Sequence, residues 1–300
     1  MVLPLHLSGS ITALATPFTA AGEPDLAAWA RLIDIQIAGG SRGLVVAGST
    51  GEAAALSDDE YSTLLEAAVA QVAGRLLVLA GTGHSSTAKT IAQTRLARDG
   101  GADAALVVTP PYVRPTQDGL VAHYLAVAGQ GGLPVVLYNV PGRTGCDLLP
   151  DTVARLCRQP GIVGLKEARG DQERWDALYP LAGEDFALLS GDDPSCVRAM
   201  LGGAAGVISV ASNVVPAAFR RLCELAGAGE REAAGALDRQ LQPLYDFLGV
   251  EPNPIPVKAL LARQGIGHGL RLPLLSLPAG HNARVDAMST LCERIEHELR

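Results

Sequence analysis

Eight short apolar runs recur at regular intervals along the first two thirds of the chain. They occupy residues 11–15, 43–47, 76–80, 104–108, 134–138, 162–166, 186–190 and 206–210. Most of the intervening segments, such as 58–72 and 87–98, carry apolar residues at the i, i+3, i+4 spacing of an amphipathic helix. Strands that are apolar throughout are buried on both faces, as in a parallel sheet covered by helices. The sequence therefore predicts an α/β fold, a (β/α)8 TIM barrel.

The pattern changes after the Ala-Gly-Ala-Gly segment at 226–229. Three further helices are predicted at 230–248, 255–264 and 285–299, and no convincing strand follows. We therefore expect a catalytic barrel over residues 1–226 and a C-terminal helical domain over residues 227–300. A doubly wound open sheet is the alternative fold, and the absence of a GxGxxG motif after any strand argues against it.

Charge and composition exclude several classes of function. The net charge of -7 argues against binding to nucleic acid or to anionic membranes, and no apolar run is long enough to span a bilayer. The N-terminus lacks the pattern of a signal peptide. Five dispersed cysteines suit reduced thiols in a cytoplasmic protein. Six dispersed histidines predict no metal site, and we expect His84 and His123 to be non-catalytic.

The sixth apolar run ends in Lys166. A lysine at the end of a buried strand loses part of the hydration of its ammonium group, which favours the neutral amine. A neutral amine attacks a ketone and forms a Schiff base that acts as an electron sink. Taken alone, Lys166 is better explained as a side chain that extends from the strand end into solvent. The polar groups that follow the other strands favour the catalytic interpretation.

Polar, glycine-supported segments follow most of the predicted strands, and in a TIM barrel these segments meet at one face. The Gly-Ser-Thr-Gly turn at 48–51 suits a small anion such as a carboxylate, although a simple helix-capping loop has the same composition. Tyr112 and Tyr138 end the fourth and fifth strands and are suited to proton transfer. Arg143 suits a second carboxylate or a surface ion pair.

Asp192 and Asp193 precede a proline after the seventh predicted strand. Carboxylates in this position commonly cap the N-terminus of the helix that follows, so we interpret them as helix caps.

Five motifs in this sequence resemble one family together. They are Gly-Ser-Thr-Gly-Glu at 48–52, Tyr-Asn-Val-Pro-Gly-Arg-Thr-Gly at 138–145, Gly-Leu-Lys-Glu at 164–167, Ser-Gly-Asp-Asp at 190–193 and Glu-Pro-Asn-Pro-Ile-Pro-Val-Lys at 251–258. The resemblance is to the dihydrodipicolinate synthases, within the pyruvate-dependent class I aldolases that also include N-acetylneuraminate lyase. It covers nearly the whole chain and implies a cytoplasmic homotetramer, a dimer of dimers, in lysine biosynthesis through diaminopimelate.

The resemblance implies a role for seven residues. Lys166 is similar to the lysine that forms a Schiff base with pyruvate, so no cofactor is expected beyond that covalent pyruvate. Tyr138 is similar to the general acid and base. The remaining implied roles are proton relay for Ser49 and for Tyr112 in a neighbouring subunit, pyruvate binding for Thr50 and the main chain of Ile208, and binding of the aspartate semialdehyde carboxylate for Arg143.

Two departures or overlaps leave alternatives open. The synthases usually carry Thr-Thr where this chain has Ser49-Thr50, and the lyases share the Gly-Ser-Thr-Gly-Glu form. Arg143 favours condensation of pyruvate with aspartate semialdehyde. A related lyase or dehydratase acting on N-acetylneuraminate or a 2-keto-3-deoxy sugar acid is the second hypothesis, and a barrel that only binds a keto acid is the third.

The resemblance also bears on feedback inhibition by lysine. The positions that match the family's lysine pocket are Tyr61, Lys89 and Pro111, with Asp58 nearby. Lys89 places a base where the family pattern has an acid, and Pro111 removes a hydroxyl group. The sequence therefore predicts weak or absent inhibition.

Overall fold

Eight parallel strands close into a barrel in the computed structural model, which describes residues 5–299. They are β1 Gly9–Ala13, β2 Gly43–Val46, β3 Leu77–Gly81, β4 Ala104–Val108, β5 Val135–Asn139, β6 Ile162–Glu167, β7 Ala187–Ser190 and β8 Gly206–Ser209. Each strand pairs with the next in sequence, and β8 pairs back with β1, where Ile208 lies opposite Ile11. The predicted (β/α)8 barrel is confirmed. The open-sheet alternative is wrong, because the pairing of β8 with β1 leaves no open edge.

Twelve α-helices are found within the described residues. They are α1 Leu26–Gly39, α2 Asp58–Val72, α3 Thr87–Asp99, α4 Gln117–Gly131, α5 Pro141–Thr144, α6 Pro150–Leu156, α7 Gln172–Leu178, α8 Cys196–Gly202, α9 Pro216–Gly227, α10 Arg231–Leu248, α11 Ile255–Arg263 and α12 Asn282–Leu299. The helices predicted at 58–72 and 87–98 correspond to α2 and α3. Predictions that concern residues 1–4 and residue 300 lie outside the described part of the chain.

The apolar residues form two layers that follow the alternation of side chains along each strand. The barrel interior is filled by side chains such as Ile11, Val45, Leu79 and Leu106. Residues at the intervening positions face outward and pack under the surrounding helices. This alternation places Tyr138 in the interior, and Lys166, its partner across β5 and β6, on the same side of the sheet.

The last three helices pack against the outside of the barrel. α10 lies against α8 and α9, and α12 lies against α9, α10 and α11. Their buried side chains, including Leu241 and Ile295, belong to the same apolar layer as those of the barrel helices. The boundary at residues 226–227 stays a prediction. Within residues 5–299, no helix is long and apolar enough to cross a membrane.

Candidate active site

Lys166 and Tyr138 lie side by side at the carboxyl end of the barrel. They pair across β5 and β6, and Lys166 Nζ is 4.5 Å from the centroid of the Tyr138 ring. Lys166 is 5% exposed and Tyr138 is 8% exposed. Among residues 5–299, Lys166 forms no ion pair, whereas the buried Lys258 is paired with a carboxylate. The register of two strands thus brings the two predicted residues together and leaves the amine without a counter-ion.

Gly191 leaves room for the Lys166 side chain. A Cβ atom built at this position would lie 2.8 Å from Lys166 Cε and 2.9 Å from Cγ. Both distances are shorter than a normal van der Waals contact, so any larger residue would displace the lysine. Glycine here follows β7 and is held by the bond from its N–H to the Glu167 carbonyl oxygen at 2.7 Å. The sequence motif at 190–193 contained this glycine, but its function becomes evident only from the contact.

A buried polar network fixes the outward side of the same strand ends. Asn139 Nδ2 donates to both carboxylate oxygens of Glu167, at 3.1 and 3.0 Å, and to Asp147 Oδ1 at 2.8 Å. The Arg169 N–H donates to Glu167 Oε1 at 2.8 Å. Burial raises the pKa of Glu167 to about 7, against the opposing effect of these donors. Because Glu167 and Asn139 are adjacent in sequence to Lys166 and Tyr138, the network fixes the strand ends that carry these two residues.

The loop after β2 is a tight turn that uses part of its backbone N–H groups internally. The N–H groups of Gly51 and Glu52 donate within the turn, to the carbonyl oxygens of Gly48 at 3.0 Å and Ser49 at 3.3 Å. Thr50 is buried and Ser49 is exposed. The turn therefore uses the N–H groups of Gly51 and Glu52, and the hydroxyl groups of Ser49 and Thr50 are the side-chain donors that it offers to the predicted anion.

Arg143 lies on the short helix α5 that follows β5. Its side chain is exposed, and Nη2 donates to the carbonyl oxygen of Asn253 at 3.0 Å. An exposed guanidinium fixed by one neutral acceptor keeps its charge and its other donors for an anion. Arg143 forms no ion pair with any carboxylate in residues 5–299. This favours a carboxylate-binding site over a surface ion pair.

Tyr112 does not end its strand, contrary to the sequence prediction. β4 ends at Val108, and Tyr112 lies in the loop beyond it with a left-handed backbone φ of 72°. Its N–H donates to the Thr144 carbonyl oxygen at 3.1 Å, and its side chain is 91% exposed. The loop therefore directs the tyrosine away from the body of its own chain.

The interpretation of Asp192 and Asp193 as helix caps is wrong. Neither side chain caps the 3-10 turn Asp193–Ser195. Asp192 Oδ2 instead accepts from the Ser195 hydroxyl at 2.5 Å. Asp193 Oδ2 accepts from the N–H groups of Val210 and Ala211, at 3.1 and 2.8 Å, and so fixes the chain just after β8. Ile208, the residue before the last one of β8, is completely buried.

His123 has the contacts of a structural residue. His123 on α4 is buried, its Nδ1 lies 3.0 Å from the Thr87 hydroxyl, and burial lowers its pKa to about 4. It is therefore neutral at physiological pH. No group of three potential metal-ligating side chains is found in the part of the chain that the structure describes.

Asn253, for which the sequence predicted no role, lies in the segment between α10 and α11. Asn253 Nδ2 donates to Thr50 Oγ1 at 3.0 Å, and its carbonyl oxygen accepts from Arg143. Five residues later, Lys258 forms a buried ion pair with Glu52 at 2.5 Å. The sequence feature that could have identified Asn253 is its position between two prolines, at a point where the helical pattern stops.

Comparison with known proteins gives one consistent result. The model of the dihydrodipicolinate synthetase family matches residues 6–291. A protein of Xanthomonas axonopodis pv. citri named 4-hydroxy-tetrahydrodipicolinate synthase is 67% identical over 95% of this chain and 94% of its own length.

Solved structures of this group superpose closely. The chloride-inhibited dihydrodipicolinate synthase of Acinetobacter baumannii, complexed with pyruvate, is 40% identical with a TM-score of 0.93, over 96% of this chain and 99% of its own. A monomeric dihydrodipicolinate synthase variant is 38% identical with a TM-score of 0.90, over 98% and 97% of the two chains.

Proposed function

Since the chain belongs to the dihydrodipicolinate synthetase family, we propose that it condenses pyruvate with L-aspartate 4-semialdehyde to give 4-hydroxy-tetrahydrodipicolinate. This reaction is the first committed step of diaminopimelate and lysine biosynthesis. The observation that carries the proposal is the buried, unpaired amine of Lys166 beside the Tyr138 ring at the open end of the barrel.

In the first half of the reaction, the Lys166 amine attacks the carbonyl carbon of pyruvate and water leaves, so that an imine forms. The imine nitrogen is protonated, and loss of a proton from the pyruvate methyl group then gives an enamine. The electron pair of the broken C–H bond forms the new C=C bond, and the C=N π pair becomes the nitrogen lone pair. The Thr50 hydroxyl and the main chain at Ile208 bind the pyruvate carboxylate. No other cofactor takes part, because the imine itself is the electron sink.

In the second half, the enamine carbon attacks the aldehyde carbon of aspartate semialdehyde and forms the new carbon–carbon bond. Arg143 holds the carboxylate of this substrate, for which a guanidinium offers paired donors. The amino group of the same substrate then attacks the imine carbon. This step closes the ring and releases the Lys166 amine, so no external nucleophile is needed.

Tyr138 transfers the protons that these steps require, with Ser49 and Tyr112 completing the relay. Tyr112 acts in the site of a neighbouring subunit, which its 91% exposure in the single chain supports. We therefore propose a homotetramer built as a dimer of dimers. The five unpaired cysteines support action in the cytoplasm, where thiols stay reduced.

The lyase or dehydratase hypothesis rests on the Gly-Ser-Thr-Gly-Glu loop, which both groups share. Arg143 separates the two hypotheses, because a guanidinium suits the carboxylate of an amino acid aldehyde better than the hydroxyl groups of a sugar acid. Substrate profiling therefore tests this point. Pyruvate is offered with aspartate semialdehyde, and the cleavage of N-acetylneuraminate and 2-keto-3-deoxy sugar acids is measured in parallel.

Borohydride reduction in the presence of pyruvate tests the Schiff base. The chain contains three lysines, Lys89, Lys166 and Lys258, so peptide mass mapping assigns the adduct directly. We expect the mass of one reduced pyruvate on Lys166 alone. Lys258 is a buried lysine held by a carboxylate and Lys89 lies on the surface, so both serve as internal controls. The absence of an adduct on Lys166 would favour a barrel that only binds a keto acid.

A further inference from the structure

We propose that Asn253 is a positioning residue that orients the Thr50 hydroxyl as a hydrogen-bond donor toward the pyruvate carboxylate. The proposal rests on the function proposed above and adds a residue from the C-terminal extension to the site. Asn253 lies outside the barrel strands, in the segment that joins α10 to α11. It contacts both loops to which substrate binding is assigned, since its side chain meets Thr50 and its main chain meets Arg143.

The direction of the bond between Asn253 and Thr50 decides what the hydroxyl can do. Asn253 Nδ2 is a pure donor, and it lies 3.0 Å from Thr50 Oγ1. The hydroxyl oxygen therefore accepts this bond, and its single hydrogen is left for another acceptor. A carboxylate only accepts hydrogen bonds, so a hydroxyl oriented in this way matches it. Thr50 is 3% exposed, so little water competes for that hydrogen.

The segment that carries Asn253 is itself firmly attached to the loop that carries Thr50. Lys258 and Glu52 form a buried ion pair at 2.5 Å, and the Lys258 ammonium lies 4.2 Å from the centroid of the Phe18 ring. Glu52 Oε2 also accepts from the Arg271 N–H at 3.0 Å. The two segments are thus joined at Thr50 and again at Glu52, which fixes the geometry of the Asn253 contact.

The side chain and main chain of Asn253 have separate partners, and this makes the proposal specific. Arg143 Nη2 donates to the Asn253 carbonyl oxygen, which every substitution at this position retains. A change of the side chain therefore affects the group that binds pyruvate and leaves the clamp for the second substrate in place. A role limited to general packing would affect both substrates.

The test measures pyruvate binding in three variants and the wild type. Asn253→Asp keeps the shape but replaces the donor with a carboxylate, which accepts the Thr50 hydrogen and repels the pyruvate anion. Asn253→Ala removes the donor. We expect the KM for pyruvate to rise about tenfold in Asn253→Ala, the effect of one lost hydrogen bond, and about 100-fold in Asn253→Asp. The KM for aspartate semialdehyde should change less than about twofold. Asn282→Ala, at the start of α12, is the matched control.

A double-variant cycle tests whether Asn253 acts through Thr50. Thr50→Val removes the hydroxyl, so adding Asn253→Ala to it should raise the KM for pyruvate no further. Additive effects would overturn the proposal. So would equal increases in both KM values, or wild-type pyruvate binding in Asn253→Asp. That last result would mean that the amide is reversed and already accepts from Thr50.

Borohydride trapping over a range of pyruvate concentrations separates this proposal from the proposed function. The half-saturating concentration should rise in Asn253→Asp while the adduct still forms on Lys166. If the wild type traps pyruvate and Asn253→Asp has the same half-saturating pyruvate concentration, the role of Asn253 is overturned but the proposed function is not. A wild type that traps no pyruvate would overturn the proposed function and this inference with it.

Discussion

Among single residues, Tyr138 is placed by strand register so that its ring contacts the Lys166 amine. Tyr138→Phe keeps the ring and removes only the hydroxyl group. If this hydroxyl transfers protons, kcat falls by about 10²–10⁴-fold while pyruvate still forms a borohydride-trapped adduct on Lys166. Steady-state kinetics and peptide mass mapping measure the two effects. Tyr179→Phe, in the 3-10 turn after α7, is the control, and a near wild-type rate for Tyr138→Phe would exclude the proton relay.

Gly191 offers a second prediction at this scale, because its role is purely one of space. Gly191→Ala places a Cβ atom 2.8 Å from Lys166 Cε, so the lysine must move. We expect kcat to fall at least about tenfold with little change in the unfolding midpoint, because a misplaced reacting group costs rate without unfolding the barrel. Gly183→Ala, where a Cβ atom meets nothing within 4 Å, is the control. An unchanged rate of adduct formation on Lys166 would contradict the steric argument.

The residues that the sequence predicted best are those whose position depends on local pattern. Lys166 and Tyr138 end apolar runs, so identifying the strands also identified them. Asn253 was assigned no role because its contacts, with Thr50 and Arg143, join residues about 200 and 110 positions away. Asp193 was misinterpreted for the same reason, since its partners lie on the chain after β8 rather than on its own turn.

At the scale of elements, the start of α2 combines a cap with an ion pair. Ser57 and Glu60 form a capping box, and Glu60 also accepts from Arg271 Nη1 at 2.7 Å and from Nη2 at 2.5 Å. These bonds, chiefly those from the Arg271 side chain, lower the pKa of Glu60 to about 2 from its ordinary 4.5. Between about pH 2 and pH 4.5, Glu60 is therefore ionised in the folded protein and protonated in the unfolded chain.

A carboxyl group with a lowered pKa contributes stability that is fully present above pH 4.5 and is lost as the pH falls toward 2. The shift corresponds to about 3 kcal/mol, and partial solvent access reduces this to about 1–2 kcal/mol. Glu60→Gln keeps a capping box. We expect it to lower the free energy of unfolding by that amount at pH 7 and by less at pH 3, measured in urea. The exposed Glu66→Gln on the same helix is the control, and a pH-independent difference would contradict the argument.

The predicted insensitivity to lysine depends on residues in and after the loops that follow β3 and β4. Lys89 lies in the first turn of α3, and the Ser85 hydroxyl donates to the Pro111 carbonyl oxygen at 2.9 Å, which joins the two loops. Burial, and then the charge of Lys89, lower the pKa of His84, so a positive charge is already present nearby. This arrangement disfavours a cationic ligand.

We therefore expect L-lysine to leave the initial rate nearly unchanged in a titration at saturating pyruvate. Lys89→Glu restores an acid at this position and should increase sensitivity. Half-inhibition of the wild type at sub-millimolar lysine would mean that other residues, such as Asp58, rebuild the pocket.

Helix and strand positions were predictable because the buried strands are continuous apolar runs and the helices repeat apolar residues at i, i+3, i+4 spacing. The predicted helix at 58–72 coincides with α2, and the one at 285–299 lies within α12, which begins at Asn282. The loops were less predictable, since their conformations depend on contacts between distant segments. The left-handed backbone at Tyr112 and Glu52 is an example, because neither residue type favours it.

In the whole molecule, the position of Tyr112 is the main reason to expect that one chain does not make a complete site. Its side chain is 91% exposed and that of its neighbour Val113 is 53% exposed, whereas Lys166 and Tyr138 are buried within the same barrel. An exposed apolar pair on a fixed loop is typical of a subunit contact. Yet one relative with the same fold is described as a monomeric variant, so the assembly of this chain requires a direct test.

Mixing two inactive variants provides that test. Lys166→Ala retains Tyr112, and Tyr112→Phe retains Lys166, so a mixed dimer contains one complete site if Tyr112 acts across the interface. Random reassociation of equal amounts should then restore about a quarter of wild-type activity, because half of the dimers are mixed and each has one complete site of two. Mixing Lys166→Ala with Tyr138→Phe is the matched control and should restore nothing, since these two residues belong to the same chain's site. No recovery with Tyr112→Phe, in a mixture shown by native mass spectrometry to contain mixed dimers, would place Tyr112 outside the neighbouring subunit's site.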